Sequence, residues 1–279
     1  MVTGENNIIS YSSENVNLHN TEKFHLSIEI SPLNIWYSFL NTENLEYIFF
    51  KSIYTSEISE LISHISSEDK LKLNYYSSSI SYKNFPSTII PNKLFDKEKK
   101  HKYLDFVIEG VESVKTDVIH QIDSSIVYSI NHNLVNSIHQ ILPNIKEKNS
   151  TNIAISQLLR QYSHLKKKTS YLFINTNNIE IIVIENGKLI FQNFFKVSNS
   201  LDILYFTLFC FDQLNIDPNK NEVFLFGEVE KGDENYSLLY DYIRNIKFGE
   251  ISSSLLFNEE LNNISNHKYF TLFSQLLCV

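Results

Sequence analysis

The sequence predicts an α/β fold built from two similar lobes. Three observations lead to this prediction. Strand-like and helix-like segments alternate along the 279 residues. A meander of three strands followed by a helix occurs twice, and short polar breaks separate the strands of each meander. Because the repeat spans about half of the chain, it indicates two lobes rather than a solenoid, whose repeats are about 20–50 residues long.

The first copy of this plan begins at Phe24. Three runs rich in β-branched and aromatic residues predict strands over His25–Ile30, Ile35–Leu40 and Tyr47–Tyr54. The segment Ser56–Ile65 follows, with apolar residues at positions i, i+3, i+4 and i+7. This spacing predicts an amphipathic helix that turns one face toward a core.

The second copy has the same order. Strands are predicted over Tyr171–Thr176, Ile179–Glu185 and Lys188–Val197, and Asn186-Gly187 indicates a tight hairpin because both residues tolerate a positive φ. The next helix is predicted from about Ser198 to about Leu214, with Ser198 as N-cap. Its apolar residues lie on nearly every side, so we expect this helix to be buried between layers.

The remaining elements follow from the same signals. In the first lobe they are a β-like segment at Ser79–Ile90, a helix at Leu94–Val107, strands at Val118–Ile122 and Ser125–Ile130, and a helix at Asn131–Leu142 that Pro143 ends. In the second they are a helix at Ser156–Leu165, a strand at Glu222–Phe226, a helix at Tyr236–Asn245, a short strand at Ile246–Phe248 and a closing helix at Tyr269–Leu277.

The predicted domain organisation has three parts. Residues 1–22 are polar and lack apolar periodicity, so they are expected to form a disordered or loosely docked arm. The first lobe is predicted over residues 23–150 and the second over 151–279, with the polar segment 144–152 as their connection. The apolar C-terminal tail is expected to close the second lobe, with a docking surface as the less common alternative.

Composition excludes several classes of protein. The formal net charge of -8 argues against nucleic-acid binding, which needs a basic face. Only 6 Gly are present, too few for most glycine-built phosphate cradles, and 2 Cys are too few for a disulfide framework. No run reaches the roughly 20 apolar residues that span a bilayer, and the N-terminus lacks the pattern of a secretory signal. A cytoplasmic protein without direct membrane insertion is therefore expected.

Motifs that bind metals or carry catalysis are not found in the sequence. On a strand, Asp117 and Asp123 share one face while His120 points to the other, so the three cannot converge on one metal. On a helix, His132 and His139 lie two turns apart, about 10 Å, which is too far for one metal without a further ligand. The lysines of Lys97–Lys100 and Lys166–Lys168 are interpreted as solvated surface residues.

Two copies of a three-strand meander that continues through helical crossovers are the ground plan of the actin/hexokinase superfamily. Three segments, Leu26–Phe39, Phe85–Asp96 and Leu239–Phe248, resemble a bacterial family known as domain of unknown function 3822. The resemblance covers roughly residues 24–250. It implies a two-lobed actin-like ATPase fold of the ribonuclease H-like type. The resemblance does not imply any particular biochemical activity.

In actin-like ATPases, an Asp-x-Gly turn from each lobe grips the phosphates, and a third turn with paired glycines holds the adenosine. The corresponding residues here are Glu29, Ser31 and Asn34 in the first turn, Asn175, Thr176 and Asn177 in the second, and Gly227 in the third. The first turn has no Gly, and Pro32 removes an N–H donor. Asn175 is neutral and a poor magnesium ligand, and Glu228 after Gly227 would repel a phosphate.

These departures predict a degenerate pseudo-ATPase with no catalytic residue, no bound metal and no cofactor. The function expected is that of an intracellular scaffold that binds a protein partner, either a peptide segment or a component of a membrane assembly. A purely structural homodimer is a further hypothesis. The alternative is a nucleotide- or anion-binding sensor or ATPase that uses a rearranged cleft between the lobes, with Asn175, Asn177 and basic side chains as ligands.

Overall fold

The computed structural model describes residues 8–12, 21–105 and 107–278. The chain divides into two compact units: Met1–Ala154, Ser253–Ile264 and Thr271–Val279 form the first, and Ile155–Ser252 and Ser265–Phe270 form the second. The sequence predicts two contiguous lobes, 23–150 and 151–279. The structure differs in that the chain returns to the first unit twice near its C-terminus, so the tail completes the first unit rather than the second.

The elements, in chain order, are as follows. The strands are β1 (Ile8–Ser12), β2 (Phe24–Ile30), β3 (Asn34–Asn41), β4 (Glu46–Tyr54), β5 (Ser77–Tyr82), β6 (Ser87–Pro91), β7 (Ser113–Ile119), β8 (Ser124–Ile130), β9 (Lys146–Asn149), β10 (Thr169–Ile174), β11 (Asn178–Glu185), β12 (Lys188–Lys196), β13 (Glu222–Gly227), β14 (Ile246–Phe248) and β15 (Leu256–Phe257). The α-helices are α1 (Ile58–Ser67), α2 (His132–Ile141), α3 (Ser150–Gln161), α4 (Ser200–Gln213), α5 (Glu234–Tyr242) and α6 (Phe270–Phe273). Short 3₁₀ helices occupy Asp69–Lys72, Asn92–Leu94, Lys97–Tyr103, His120–Ile122, Glu259–Leu261 and Gln275–Cys278.

Each unit contains a mixed sheet built on the same plan. The first has the order β1-β4-β3-β2-β5-β9, with β15 beside β4, and the second has the order β12-β11-β10-β13-β14. In both, an antiparallel three-strand meander continues into strands that run parallel to its first strand. The two meanders and the two-lobed α/β plan predicted from the sequence are therefore confirmed. A smaller antiparallel sheet, β6-β8-β7, belongs to the first unit.

Several predicted segments differ from the structure. The strand predicted at Val118–Ile122 covers only the end of β7, which stops at Ile119 and is followed by a 3₁₀ helix at His120–Ile122. Within the predicted arm, β1 pairs with β4, whereas residues 1–7 and 13–20 lie outside the described residues. The helix predicted at Leu94–Val107 is wrong, because its charged residues form a 3₁₀ helix and the run lacks the apolar stripe that would hold an α-helix on a core. The predicted connection at 144–152 contains the edge strand β9 and the first residues of α3.

One face of each sheet packs against helices. In the first unit, α1 and α2 cover a face whose centre is Ile28, Tyr37, Phe39 and Ile80. In the second unit, α4 and α5 cover a face built from alternate residues of β10, β11 and β13. The opposite face of the second sheet is aromatic: the parallel register of β10 and β13 places Tyr171 on Phe224 and Phe173 on Phe226, with ring centroids 5.5 and 4.5 Å apart.

Helix α4 is not enclosed in the way its apolar sequence predicts. Its inner side, which includes Ile203 and Phe211, packs on the second sheet, and Cys210 is buried with them. Burial raises the pKa of the Cys210 thiol to about 11, in keeping with its interpretation as a small hydrophobic residue. The outer side of α4 is exposed to solvent, with Leu201 67% exposed and Tyr205 61% exposed.

The second face of the first sheet is buried but polar. It carries His25, Glu29 and several serines of β2 to β5, which lie at alternate strand positions and therefore share one side. The tail covers this face through Gln275, whose Nε2 donates to the Ile28 carbonyl at 2.7 Å and to Ser81 Oγ at 2.8 Å. Ser79 Oγ donates to Gln275 Oε1 at 2.7 Å. These contacts show that the tail closes the first unit.

The buried His25 makes the stability of the protein depend on pH. Its Nδ1 and Nε2 lie 2.8 and 3.0 Å from the hydroxyls of Ser77 and Ser79. Burial, assisted by Lys146, lowers the pKa of His25 to about 4, so the ring is neutral in the folded protein and takes up a proton on unfolding below pH 6.5. We expect His25 to reduce the unfolding free energy by about 2 kcal/mol between pH 7.5 and pH 5.

Urea unfolding at both pH values measures this effect in the natural protein and in His25→Gln. The difference between the two pH values should shrink by that amount in His25→Gln. The exposed His120 provides the matched control, and His120→Gln should behave like the natural protein. Equal pH dependence in the natural protein and His25→Gln would contradict the assignment of a neutral buried ring.

Candidate functional site

The turn between β2 and β3 is the first of the three turns that the actin-like resemblance singles out. Ser31 N–H donates to the Asn34 carbonyl at 2.9 Å, and Pro32 has no N–H. The Leu33 carbonyl accepts from both the backbone N–H and the hydroxyl of Thr55, each at 2.8 Å. The Ser31 N–H and the Leu33 carbonyl are therefore both used in hydrogen bonds within the chain. Neither Ser31 nor Pro32 offers a backbone donor to an anion.

Glu29, at the end of β2, is fully buried and committed to contacts within the first unit. Ser81 Oγ donates to Glu29 Oε2 at 3.0 Å, and Lys83 Nζ lies 3.6 Å from Oε1. Lys83 is itself held by its backbone N–H, which donates to the Ile30 carbonyl at 2.8 Å. A carboxylate that already balances a lysine would have to lose this partner before it could bind a metal.

The second turn, between β10 and β11, is also satisfied internally. Asn175 N–H donates to the Asn178 carbonyl at 2.9 Å, and Asn175 Nδ2 donates to Asn178 Oδ1 at 3.0 Å. Thr176 and Asn177 are exposed at its tip, and the Asn177 carbonyl accepts from Val197 N–H at 3.0 Å. The Asn175 side-chain amide thus stabilises the turn by hydrogen bonding, as Asn side chains commonly do.

Gly227, the residue predicted to face an adenosine, packs closely against the backbone of β10. It ends β13 with a φ of +84°, and a Cβ at this position would lie 2.1 Å from the Ile174 carbonyl oxygen. This close approach allows Glu228 N–H to donate to the same oxygen at 2.7 Å. The space against the glycine is therefore filled by the backbone of β10, where a ligand would have to lie.

The loop after Gly227 is fixed by His267. Gly227 N–H donates to the His267 carbonyl at 3.1 Å, and His267 Nε2–H donates to the Val229 carbonyl at 2.7 Å. Burial lowers the pKa of His267, so the ring is neutral and gives the loop no positive charge. The loop is thus held in place by a neutral ring, which would not attract a phosphate.

A cavity of about 230 Å³ lies at the carboxyl ends of β10 and β13. Its lining includes Asn175, Thr176 and Glu228, and no Lys or Arg is among the described residues that line it. Thr176 Oγ1 donates to Glu228 Oε2 at 2.7 Å. The cavity also borders the start of α4, where the carboxylate of Asp202 accepts from Ser198 N–H at 2.8 Å. A carboxylate therefore already occupies the positive end of this helix, and a second anion would be repelled.

The structure groups the predicted residues by unit. The cavity of the second unit is lined by Asn175, by Thr176 and by Glu228, which follows Gly227. Asn177 lies at the exposed tip of the same turn as Asn175. Glu29, Ser31 and Asn34 lie together at the end of β2 in the first unit. No cluster of three or more His, Cys, Asp or Glu suited to a metal occurs in residues 8–12, 21–105 and 107–278.

Asp117 is the polar residue whose role the sequence does not reveal. The sequence predicts it at a turn or sheet edge, and it does lie on the edge strand β7, where it is buried and anchors the start of α3. Its carboxylate accepts from Asn149 N–H at 3.1 Å, from Asn152 Nδ2 at 2.7 Å and from Lys148 Nζ at 3.1 Å. The negative charge near a helix N-terminus stabilises the junction of β9 and α3. No local motif signals this role, because its partners lie some thirty residues along the chain.

The close packing at Gly227 gives a testable consequence. Gly227→Ala should lower the unfolding free energy by about 3 kcal/mol, since the added methyl group meets backbone and the φ is unfavourable for alanine. Gly187 is the matched control: its φ of +69° is similar, but a Cβ added there would have no described neighbour within 4 Å. Gly187→Ala should cost only about 1 kcal/mol. Urea denaturation compares the two, and equal costs would contradict the packing role.

Comparison with solved structures identifies the fold. A protein with an actin-like ATPase fold and unknown function from Bacteroides thetaiotaomicron VPI-5482 has a TM-score of 0.76 at 18% identity, over 95% of this chain and 99% of that one. A chain of the PilM–PilN type IV pilus biogenesis complex has a TM-score of 0.66 at 9% identity, over 92% of this chain and 98% of that one. The actin-like fold predicted from the sequence is confirmed.

Sequence comparison identifies the family. No curated protein matches the chain. In the described residues, no helix combines the length and apolar character required to cross a membrane. The model of one family, described as protein of unknown function DUF3822, matches residues 13–246, which is most of the chain. The chain therefore belongs to the DUF3822 family, as its sequence resemblance predicts.

Proposed function

We propose that this protein is a non-catalytic member of the actin-like ATPase fold class that acts by binding another protein. One observation supports the proposal: in each of the three turns expected to bind a nucleotide, polar groups are used in contacts within the chain. Ser31 N–H, the Asn175 amide and Glu228 N–H all have internal partners. The fold is retained, but the groups that would perform phosphate chemistry are committed elsewhere.

The residues present do not fit MgATP. Triphosphate binding requires free N–H donors and cations around about four negative charges. In a well-studied oxyanion hole, the loss of one donor already costs about 2.7–4 kcal/mol. Here Pro32 supplies no donor, Asn175 supplies no charge for a magnesium ion, and Glu228 adds negative charge at the cavity. We infer no phosphoryl-transfer step for this site.

Two features support a protein partner. The structurally similar PilM–PilN chain comes from a complex of two proteins in pilus biogenesis, which provides an analogy at the level of the fold. The second unit also exposes large apolar side chains on α4, which is unusual for a surface without a partner. The net charge of -8 disfavours nucleic acid as that partner. We propose a segment of another protein as the ligand and the reducing cytoplasm as the compartment.

Thermal unfolding with and without nucleotide tests the non-catalytic part of the proposal. At about 1 mM MgATP, a site with a Kd of about 10 µM would stabilise the protein by about 2.7 kcal/mol and raise its Tm. We expect no shift with MgATP, MgADP or inorganic phosphate, since the donors named above already have partners within the chain. Asn175→Ala is the matched variant. A saturable rise in Tm that disappears in Asn175→Ala would contradict the proposal and support an anion-binding sensor.

A further inference from the structure

We infer that the exposed face of α4 binds an amphipathic helix of the partner protein, and that this helix carries basic residues beside its apolar stripe. The inference rests on the proposed function, because it specifies the partner that the proposed function requires. Two independent features of the second unit lead to it: the arrangement of exposed apolar side chains on α4, and the distribution of charge over α4 and α5.

Leu201, Tyr205 and Phe209 form a stripe along the outer side of α4. They are four residues apart and therefore share one face over about 12 Å. They are 67, 61 and 46% exposed, and the rings of Tyr205 and Phe209 stack with centroids 6.1 Å apart. Single exposed apolar residues are normal on protein surfaces, whereas a contiguous group of large ones marks an interaction site.

The helix that carries the stripe is anchored by its other side, which packs into the second unit. Residues on the inner side of α4, such as Ile203 and Phe211, are buried in the core. Beside the stripe, Phe206 stacks on Phe195 of β12 with centroids 4.7 Å apart. A preformed stripe costs little conformational entropy on binding. Its spacing of four residues matches the apolar stripe of a second helix, the usual form of helix-to-helix recognition.

Charge identifies the type of helix. Helices α4 and α5 pack side by side and together contain four acidic residues and no Lys or Arg. The acidic residues are Asp202, Asp212, Glu234 and Asp241. Asp202 and Asp212 belong to α4 itself, and Lys168 Nζ beside its C-terminal end is bonded to the Leu214 carbonyl at 2.7 Å. A helix with a basic flank is therefore complementary to the exposed face of α4.

The same charge distribution argues against two other occupants. If α4 packed on α4 of a second copy, the acidic residues of each helix would face acidic residues of the other, whichever direction the helices ran. An anionic membrane surface would be repelled by the acidic face as well, because surface binding of this kind depends on basic residues around the apolar stripe. A basic amphipathic helix would cover the apolar stripe with its apolar side and pair its basic residues with the acidic ones.

The test uses two labelled helical peptides of about 20 residues with the same leucine stripe, one flanked by Lys and the other by Glu. Fluorescence anisotropy with the full chain measures their affinities. We expect the Lys-flanked peptide to bind at least tenfold more tightly, a difference of about 1.4 kcal/mol. Phe209→Ser should weaken its binding about tenfold or more. Asp212→Lys, which leaves the stripe intact, should remove most of the preference.

Tyr76→Ser is the matched control, because Tyr76 is 71% exposed but lies in the first unit. It should leave both affinities unchanged, and circular dichroism should show native folding for all three variants. Equal binding of the two peptides, or full affinity in Phe209→Ser, would overturn the inference. A dimer abolished by Phe209→Ser, or binding to phosphatidylserine vesicles in place of the Lys-flanked peptide, would overturn it as well.

Purification from the native host separates this inference from the proposed function. The full chain and the double variant Leu201→Ser/Phe209→Ser are isolated in parallel, and co-purified proteins are identified by mass spectrometry. Loss of one stoichiometric partner in the double variant, together with Lys-selective peptide binding, supports the inference. If the partner remains with the double variant, the α4 surface is wrong and the proposed function stands. If neither form retains a partner, the proposed function fails.

Discussion

The hydrogen bonds that close the turns at the strand ends are the constraint on which the proposed function rests. A backbone turn binds phosphate only when its N–H groups are free and its residues allow close approach. Ser31 N–H is instead paired with Asn34, and Glu228 N–H with Ile174. Gly227, the glycine of the third turn, lets β13 approach β10 rather than a ligand. The chain thus has the actin-like fold, and these groups of its turns are paired within the chain.

The stability of the fold comes from contacts away from these turns. Each sheet buries a helix-covered apolar face, and burial of such surfaces is the main favourable contribution to folding. The polar second face of the first sheet is covered by Gln275, which adds hydrogen bonds to the Ile28 carbonyl and to the hydroxyls of Ser79 and Ser81. None of these contacts requires a nucleotide, so the fold does not depend on phosphate binding.

Local signals predict the meanders, whereas long-range contacts account for what the sequence does not predict. Asn186-Gly187 forms the expected turn, since both residues have positive φ. Strand β1, Ile8–Ser12, is a five-residue run inside a segment without apolar periodicity, and its pairing with β4 identifies it as a strand. Asp117 has no motif because its partners are distant in sequence.

Local sequence patterns also fail to predict what covers the outer side of α4 and which unit the C-terminal tail joins. The apolar residues all around α4 predict burial, but periodicity alone cannot distinguish a core-facing side from a side that an intermolecular partner covers. The tail is apolar and follows the second lobe in sequence, yet it completes the first unit, because its partners on β2 and β5 lie about 200 residues earlier in the chain.

A crystal structure of the full chain grown with magnesium and a non-hydrolysable ATP analogue would show whether these turns bind a nucleotide. We expect no bound nucleotide, with Ser31 still bonded to Asn34 and Thr176 still bonded to Glu228. A triphosphate and magnesium ion seated on these turns, with those internal hydrogen bonds broken, would contradict this expectation.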